Sequence, residues 1–385
     1  MPFFRNVNRD SLLVIFPTCG NDVKSSEIVR VVMKRFALKN ISTQRVTYEK
    51  GCIVFEVNNL VDAMSSISEI YGIERVAIAK KVRNEFKDLI KQIVKIGSQI
   101  VVPHSSFYIK ILEDDDSIID FKSKDLQFIA SSELLAETAE NNLHIKIAEN
   151  EDLADHLLMS YIGKNESYVF IQSEIGLGGL SYNSQHCNAL STIHNSISAA
   201  SCLASLKCGL VPEICLLYHD TRDLKNNAKL LGLVANRVNQ RRMNIMIGRI
   251  EFADLGISGR NFLLSEAIAI CLLALLPGRN IVLPLNIFIH SFSFVEQTLE
   301  RMRKVNKLVL SPLLFLDKAT ILNTLGVTGM TDITKKSKSC YAASKQECRK
   351  CYERADKLSL KIFDNLKTIS FEIGPNYVHD IIDTI

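Results

Sequence analysis

The sequence predicts an α/β protein: small α+β parts come first and a parallel-sheet part follows. Three observations carry this expectation. Strand-like and helical runs alternate along nearly all of the 385-residue chain. Two early passages each read as a compact β-α unit of the α+β kind. Beyond residue 180 the strands are apolar runs such as NIMIGRIEF and NIVLPLNIF, which suits a parallel sheet covered on both faces.

The elements follow in order. SLLVIFPT (11–18) is strand-like, and SSEIVRVVMKRFAL is a helix with Ser25 or Ser26 as N-cap. GCIVFEV (51–57) is a β-rich run, and LVDAMSSISEIYG is a helix closed by Gly72. The second passage opens with strand IERVAIAKKV. NEFKDLIKQIVKIG then reads as an amphipathic helix, with Phe86, Ile90, Ile93 and Val94 on one side and Lys87, Lys91 and Lys95 on the other. SSFYIKILE and ESYVFIQSEIG read as strands, with EDLADHLLMSYIGK as a helix between them and Glu113–Asp116 as a solvent loop. Gly176, Gly178 and Gly179 mark a junction. After it come helix SAASCLASLKCG, strand EICLLYHD, helix AKLLGLVANRVNQ, strand NIMIGRIEF, helix LLSEAIAICLLALL, strand NIVLPLNIF, helix SFVEQTLERMRK and the run LVLSPLLFLDK. Ligands of such sheets bind beyond the carboxyl ends of the strands.

Composition sets the class. The chain is 47% hydrophobic and 23% charged and has no long Pro/Gly/Ser tract, which excludes a disordered protein. A net charge of +4 neither demands nor excludes nucleic acid, because local clustering decides. Lys80, Lys81, Arg83, Lys87, Lys91 and Lys95 form one cluster, Arg303, Lys304 and Lys307 a second, and Lys335, Lys336 and Lys338 a third. MPFFRNVNRD has no apolar signal core. The longest apolar stretch runs from after Glu266 to Pro277, too short for a bilayer, so a buried helix, no membrane and a reducing cytoplasm are the expectation.

Cysteine spacing gives the sharpest local signal. Among ten cysteines, residues such as Cys202 and Cys271 stand in apolar runs and read as small core hydrophobes. Cys340, Cys348 and Cys351, in SCYAASKQECRKCYER, are spaced C-x7-C-x2-C. Such a triplet can hold zinc or an iron–sulfur cluster with one position open, act as a redox pair or persulfide carrier, or be three unlinked thiols. The neighbours Lys338, Arg349, Lys350 and Arg354 favour thiolates. Asp317 and Lys318 follow an apolar run and read either as a phosphate-reaching pair or as a plain helix start. His219 and His290 follow strands and read as structural histidines or as residues facing a site.

Several passages resemble the tRNA 4-thiouridine synthases, which join a ferredoxin-like domain, a THUMP RNA-binding domain and a PP-loop ATP pyrophosphatase domain. Tyr71-Gly72-Ile73 stands where that family has Phe-Gly-Ile, and GLGGL (176–180) resembles its exit from THUMP. Glu296-Gln297-Thr298-Leu299-Glu300 is similar to its Ser-Gln-Thr-Leu-Glu-Asn passage, and SPLLFLDKATI to its Arg-Pro-Leu-Ile-x-x-Asp-Lys-x-Glu-Ile. The cysteine triplet resembles the four-cysteine zinc site of the 7-cyano-7-deazaguanine synthases. The resemblance implies domains over 1–72 (ferredoxin-like), 73–180 (THUMP-like) and 181–385 (PP-loop-like). It implies tRNA as partner, held by the first and third basic clusters, and ATP with Mg²⁺ near Ser191, Asn195, Ser196, Ser198, Gln297 and Thr298. It further implies uridine adenylation steadied by Lys318 and Asp317, then sulfur transfer from Cys340, Cys348 or Cys351. Sulfide or a separate carrier would supply the sulfur, since the rhodanese domain of some members is absent. A homodimer is compatible with it.

One departure is large. The family's loop reads Ser-Gly-Gly-x-Asp-Ser, and here the region is NALSTIHNSISAASCLASLKCG. Aligning on Lys207 and Gly209 puts Ile197 and Ser198 on the final Asp-Ser. Aligning on Leu190 and Ser191 puts Asn195 and Ser196 there. Neither register keeps the glycines whose N–H groups close around phosphate. Three readings therefore stand: an ATP-dependent tRNA thiolase, a non-catalytic tRNA-binding protein, and a PP-loop enzyme acting on a deazapurine or thiamine precursor.

Overall fold

The computed structural model of the chain describes residues 11–18, 25–49, 51–114, 117, 119–140, 143–252, 261–325, 343–374 and 377–383. The chain forms two compact units, Met1–Gly179 and Leu180–Ile385. Cys340, Lys335, Lys336 and Lys338 lie outside the described residues.

Unit 1 is one mixed sheet with helices on one face. Its strands are β1 (Ser11–Pro17), β2 (Thr43–Glu49), β3 (Cys52–Val57), β4 (Ile73–Arg83), β5 (Ser106–Glu113), β6 (Lys146–Ile147), β7 (His156–Ile162) and β8 (Glu166–Ile175), in the order β2-β3-β1-β4-β8-β7-β5-β6. Only β5 has parallel partners, β6 and β7. Helices α1 (Ser25–Leu38) and α2 (Leu60–Ser68) cover β1, β3 and β4 through Ile28, Val32, Met64 and Ile67. Helices α3 (Phe86–Ile100) and α4 (Ser123–Glu140) cover β5, β7 and β8 through Leu89, Ile93, Ala130 and Leu134. Ile171 on β8 packs in both clusters, so all four helices share one face. The opposite face buries Val14, Val54, Ala77, Tyr161, Tyr168 and Phe170.

One expectation is corrected here. EDLADHLLMSYIGK is not a helix: Glu151–Leu153 makes a single 3-10 turn capped by Asn150, and His156–Ile162 is strand β7. Five successive residues, Leu158–Ile162, are buried, because both faces of β7 are covered. A strand with no alternation looks like a buried helix when only its apolar run is read. Helix α4 leaves no mark in the sequence pattern for the opposite reason: its apolar residues follow no sharp stripe.

Gly176 shows where a side chain cannot enter unit 1. Its N–H donates to the Glu74 carbonyl at 2.8 Å, and a Cβ placed there would meet the Ile73 carbonyl oxygen at 2.2 Å. That obstacle is backbone and cannot rotate away. Gly176→Ala is expected to destabilise unit 1 by about 1–3 kcal/mol. A lowered urea midpoint checks this, and an unchanged midpoint refutes the close approach.

Unit 2 is a doubly wound α/β unit. Strands β9 (Asn188–Ile193), β10 (Val211–Tyr218), β11 (Arg242–Arg249), β12 (Asn280–Val282) and β13 (Leu308–Leu310) are parallel, and β14 (Lys367–Glu372) adds an antiparallel edge beside β11. The order is β13-β12-β9-β10-β11-β14. The winding direction reverses between β9 and β12, and ligands of such folds bind in the crevice beyond the carboxyl ends at that reversal. The helices are α5 (Ser196–Lys207), α6 (Thr221–Ala235), α7 (Phe262–Leu275), α8 (Phe292–Lys304), α9 (Lys318–Leu325), α10 (Lys345–Asp364) and α11 (Tyr377–Asp383). Helix α7, apolar on every side, is the centre of the core and packs along α10. Among the described residues no helix is long and apolar enough to cross a membrane.

Candidate functional site

The crevice at the β9–β12 reversal is where a nucleotide would be sought, and this chain's own side chains occupy its floor. Between β9 and α5 stand only His194 and Asn195. Asn195 is the N-cap of α5, and its side-chain oxygen accepts from Ser198 N at 2.9 Å. The Ser198 hydroxyl in turn accepts from the backbone N–H groups of His194 (2.9 Å) and Asn195 (3.1 Å). Amides at a strand-to-helix turn are what holds phosphate in a nucleotide loop. Here three of them are spent on two local side chains.

Beneath this turn lies a buried polar cluster. Glu266, on the otherwise apolar α7, is 0% exposed. Its Oε1 accepts from the Asn195 side-chain amide at 2.6 Å and lies 3.2 Å from His194 Nε2. Its Oε2 lies 3.9 Å from Nε2 of His290, in the loop after β12. His290 Nδ1 lies 3.2 Å from both the N–H and the carbonyl oxygen of Asn286, so either tautomer of the neutral ring finds a partner there. Asn286, fully buried, ties this loop to the next one by donating to the carbonyls of Leu313 (2.6 Å) and Leu316 (2.8 Å). Residues from the β9–α5 turn and the loop after β12 thus meet around one carboxylate of α7.

The electrostatics fit a buried charge held by its neighbours. Burial pushes the Glu266 carboxyl up. His194, His290 and the Asn195 amide more than reverse that push, so the group stays below the usual carboxylate range. Burial holds His290 below its ordinary 6.5, against the opposing pull of Glu266. As pH falls through 6.5 the unfolded chain protonates this imidazole while the folded chain resists, so folding weakens. Glu266 acts in the same direction at lower pH, its contribution being lost as pH falls through its depressed value. Thermal melting temperature is therefore expected to drop between about pH 7.5 and pH 5, and His290→Asn to flatten the part of the drop nearest neutrality. A profile identical to wild type in that variant would remove His290 from the linkage.

A column of rings extends from the cluster. His290 stacks on Phe294 at 5.4 Å and Phe294 on Tyr352 at 5.4 Å, and the Arg301 guanidinium lies 4.5 Å from the Tyr352 ring centre. Arg301 also makes a two-bonded pair with Asp356 at 2.8 and 2.7 Å. Thr298 is fully buried, its hydroxyl bonded to Phe294 O and Tyr352 Oη, and Gln297 donates to the Lys345 carbonyl at 3.0 Å. Thr298 and Gln297, expected near a nucleotide, thus tie α8 to α10. Ser191 is buried on β9, and Ser196, the first residue of α5, is half-buried. Asp317 and Lys318 are exposed at the start of α9, where Asp317 accepts from Thr320 N at 2.7 Å as a helix cap. His219 hydrogen-bonds Ile250 O through Nδ1 at 3.1 Å.

The cysteines need a correction in their chemistry. Cys348 and Cys351 lie on the inner face of α10, Cys348 fully buried and 3.8 Å from the Ser291 hydroxyl. Burial raises the Cys348 thiol and pushes Cys351 up to about 12, so both are thiols rather than thiolates at neutral pH. The basic neighbours alone would do the reverse. Of these, Arg349, Lys350 and Arg354 point to solvent, and desolvation of the sulfurs outweighs them. Among the described residues no group of three His, Cys, Asp or Glu side chains is placed to hold a metal.

The basic face of unit 1 is as the periodicity predicts. Lys87, Lys91 and Lys95 are all exposed along α3, with no ion pair among the described residues, while Leu89, Ile90, Ile93 and Val94 are buried. On β4, Lys81 pairs with Glu166 at 2.9 Å and Arg83 with Glu85 at 3.7 Å, which reduces their net field, and Lys80 is half-buried.

No protein-family profile and no curated protein sequence matches the chain. Two solved structures resemble this two-unit α/β fold. One is PH1313 from Pyrococcus horikoshii Ot3, with TM-score 0.57 and 14% identity, over 82% of this chain and 100% of that one. Another is a 4-thiouridine synthetase–RNA complex with bound ATP, with TM-score 0.61 and 12% identity, over 94% of this chain and 100% of that one. At these identities the likeness is one of fold.

Proposed function

We propose that this chain is a tRNA-binding protein of tRNA modification, in which the THUMP-like part of unit 1 grips RNA and unit 2 keeps a PP-loop fold without an open phosphate cradle. The carrying observation is the turn between β9 and α5. Its amides are capped by Asn195 and Ser198, and the space beneath is filled by His194, Glu266 and His290. Support for RNA comes from the exposed lysine stripe on α3 and from the fold shared with a synthetase solved on RNA. Within this reading residues 1–72 act as a ferredoxin-like part, 73–180 as the RNA-binding part and 181–385 as the PP-loop-like part.

A second reading keeps ATP-dependent uridine thiolation. The likeness spans 94% of this chain and all of an ATP-bound 4-thiouridine synthetase, and Lys318 stands exposed just past the β13 loop. In that reading ATP would adenylate the uridine oxygen and a sulfur donor would displace AMP, with Cys340 and its neighbours handling the sulfur. Nucleoside analysis separates the two readings. tRNA from cells lacking the chain is incubated with purified protein, ATP, Mg²⁺ and sulfide. Under the first reading no thiolated uridine forms, although the protein binds that tRNA more tightly than duplex RNA of equal length. Appearance of thiouridine would establish the second.

A further inference from the structure

A basic surface lies at the amino end of the unit 2 sheet, away from the crevice at the carboxyl ends. Helix α8 carries Arg301, Arg303 and Lys304 in its last turn, and Asn306, in the left-handed region at φ 54°, turns the chain back into β13. That turn is bolted to the one before β12. Lys307 Nζ donates to the carbonyls of Leu276 (2.6 Å) and Gly278 (2.5 Å), and Leu308 N donates to that of Arg279 (2.8 Å). Asn280 and Leu308 are register partners and the first residues of β12 and β13, so Arg279 and the end of α8 reach one surface.

The cations here divide by what they do. Arg301 is neutralised by Asp356, and Lys307 is spent on the carbonyl end of α7. Arg279, Arg303 and Lys304 are exposed and make no ion pair among the described residues. Cations in a last turn complement the carbonyl end of their helix, which accounts for Arg303 and Lys304 but not for Arg279, which lies in no helix. Against them stand Glu300, exposed one turn back on α8, and Glu213 on β10, bonded to the Asn188 side chain at 2.8 Å. Strand β10 is two strand spacings from β12, about 10 Å, so Glu213 acts from about a Debye length away. Three cations against one near carboxylate leave the surface positive.

We propose that this end of unit 2 holds an RNA backbone, an inference that rests on the tRNA reading above and gives unit 2 its own share of the RNA. Arg279, Arg303 and Lys304 each meet a phosphate through charge-assisted hydrogen bonds, with release of counterions. Neither turn carries an aromatic ring on which a base could stack, so the contact supplies affinity and orientation rather than sequence readout. A lipid surface fits less well. Leu275, Val305 and Leu308 are exposed by 39%, 47% and 55%, but they stand singly among the cations and form no apolar face to enter a bilayer. RNA held here lies at the opposite end of the sheet from the filled β9–β12 crevice, so it is bound without being presented to the β9–α5 turn.

Filter binding of tRNA to the full chain across a salt series tests the assignment. R279A/R303A/K304A removes exposed side chains only, and its melting curve is expected to match wild type. It should bind tRNA about tenfold or more weakly at moderate salt, with the slope of log affinity against log salt lowered by about 2–3. R279K/R303K should keep the wild-type slope, because a phosphate contact of this kind counts charge. If the triple variant melts early, R279A and K304A singly take its place, each lowering the slope by about 1. Vesicles of phosphatidylglycerol and phosphatidylcholine are the second probe, and wild type is expected to leave them unbound at a salt where it binds tRNA. A triple variant equal to wild type in affinity and slope overturns the proposal, as does a slope lost equally in R279K/R303K. Vesicle binding that the triple variant loses, with tRNA binding unchanged, would overturn it in favour of a lipid surface. Wild-type protein that binds no tRNA at all would instead overturn the tRNA reading itself.

Discussion

Glu266→Ala is expected to cost about 3–5 kcal/mol of unit 2 stability, the usual effect of removing one partner from a buried charged pair. The carboxylate is the shared partner of His194 and Asn195, from the β9–α5 turn, and of His290, from the loop after β12. Its loss leaves polar groups buried without the charge that holds them, and it frees the Asn195 amide at the α5 cap. Glu266→Gln should lose less, because an amide oxygen still accepts from Asn195 but no longer carries charge. Urea unfolding followed by circular dichroism measures both. Equal stability of Glu266→Ala and wild type would show that the cluster is not a structural plug.

Changing Lys87, Lys91 and Lys95 together to Glu is expected to weaken tRNA binding roughly ten- to hundredfold at moderate salt, and to lower the slope of log affinity against log salt by about 2–3. The three side chains follow one another at four-residue spacing on the exposed side of α3, and none is neutralised by an ion pair among the described residues. A duplex backbone running along that stripe would lose a counterion for each contact. Filter binding across a salt series gives both quantities. The helix itself is not at risk, since its core contacts come from Leu89, Ile90, Ile93 and Val94. An unchanged affinity and slope would place the RNA elsewhere.

Much of this was legible from spacing. The α3 stripe follows from a 3.6-residue period, and the alternating strands and helices of unit 2 follow from apolar runs separated by amphipathic ones. Strand β7 reads as a helix because it is covered on both faces and shows no alternation. The site was harder. His194 and Asn195 were visible as replacements for glycines, but their sequence neighbours do not reveal that they turn inward. The signal that could have found the cluster is Glu266 itself. It is a lone carboxylate in FLLSEAIAICLLAL, and a charge on a helix that is apolar all round must meet partners. Those partners lie far away in sequence, at positions 194 and 290, and only the strand order brings them together. The thiols of Cys348 and Cys351 failed as a sequence inference for a related reason: charge is read from neighbours in the chain, whereas burial is set by α7 packing along the same helix.

Pyrophosphate release tests the central claim most directly, measured in one sample that also reports tRNA binding. Purified full-length chain is mixed with tRNA, ATP and Mg²⁺ at low salt. If unit 1 grips tRNA while side chains fill the crevice of unit 2, the protein binds tRNA in a salt-dependent way and releases no pyrophosphate above a protein-free control. tRNA-dependent release of pyrophosphate would contradict the account, because it requires the β9–α5 turn to open and hold the phosphates that Asn195, Ser198 and Glu266 now exclude.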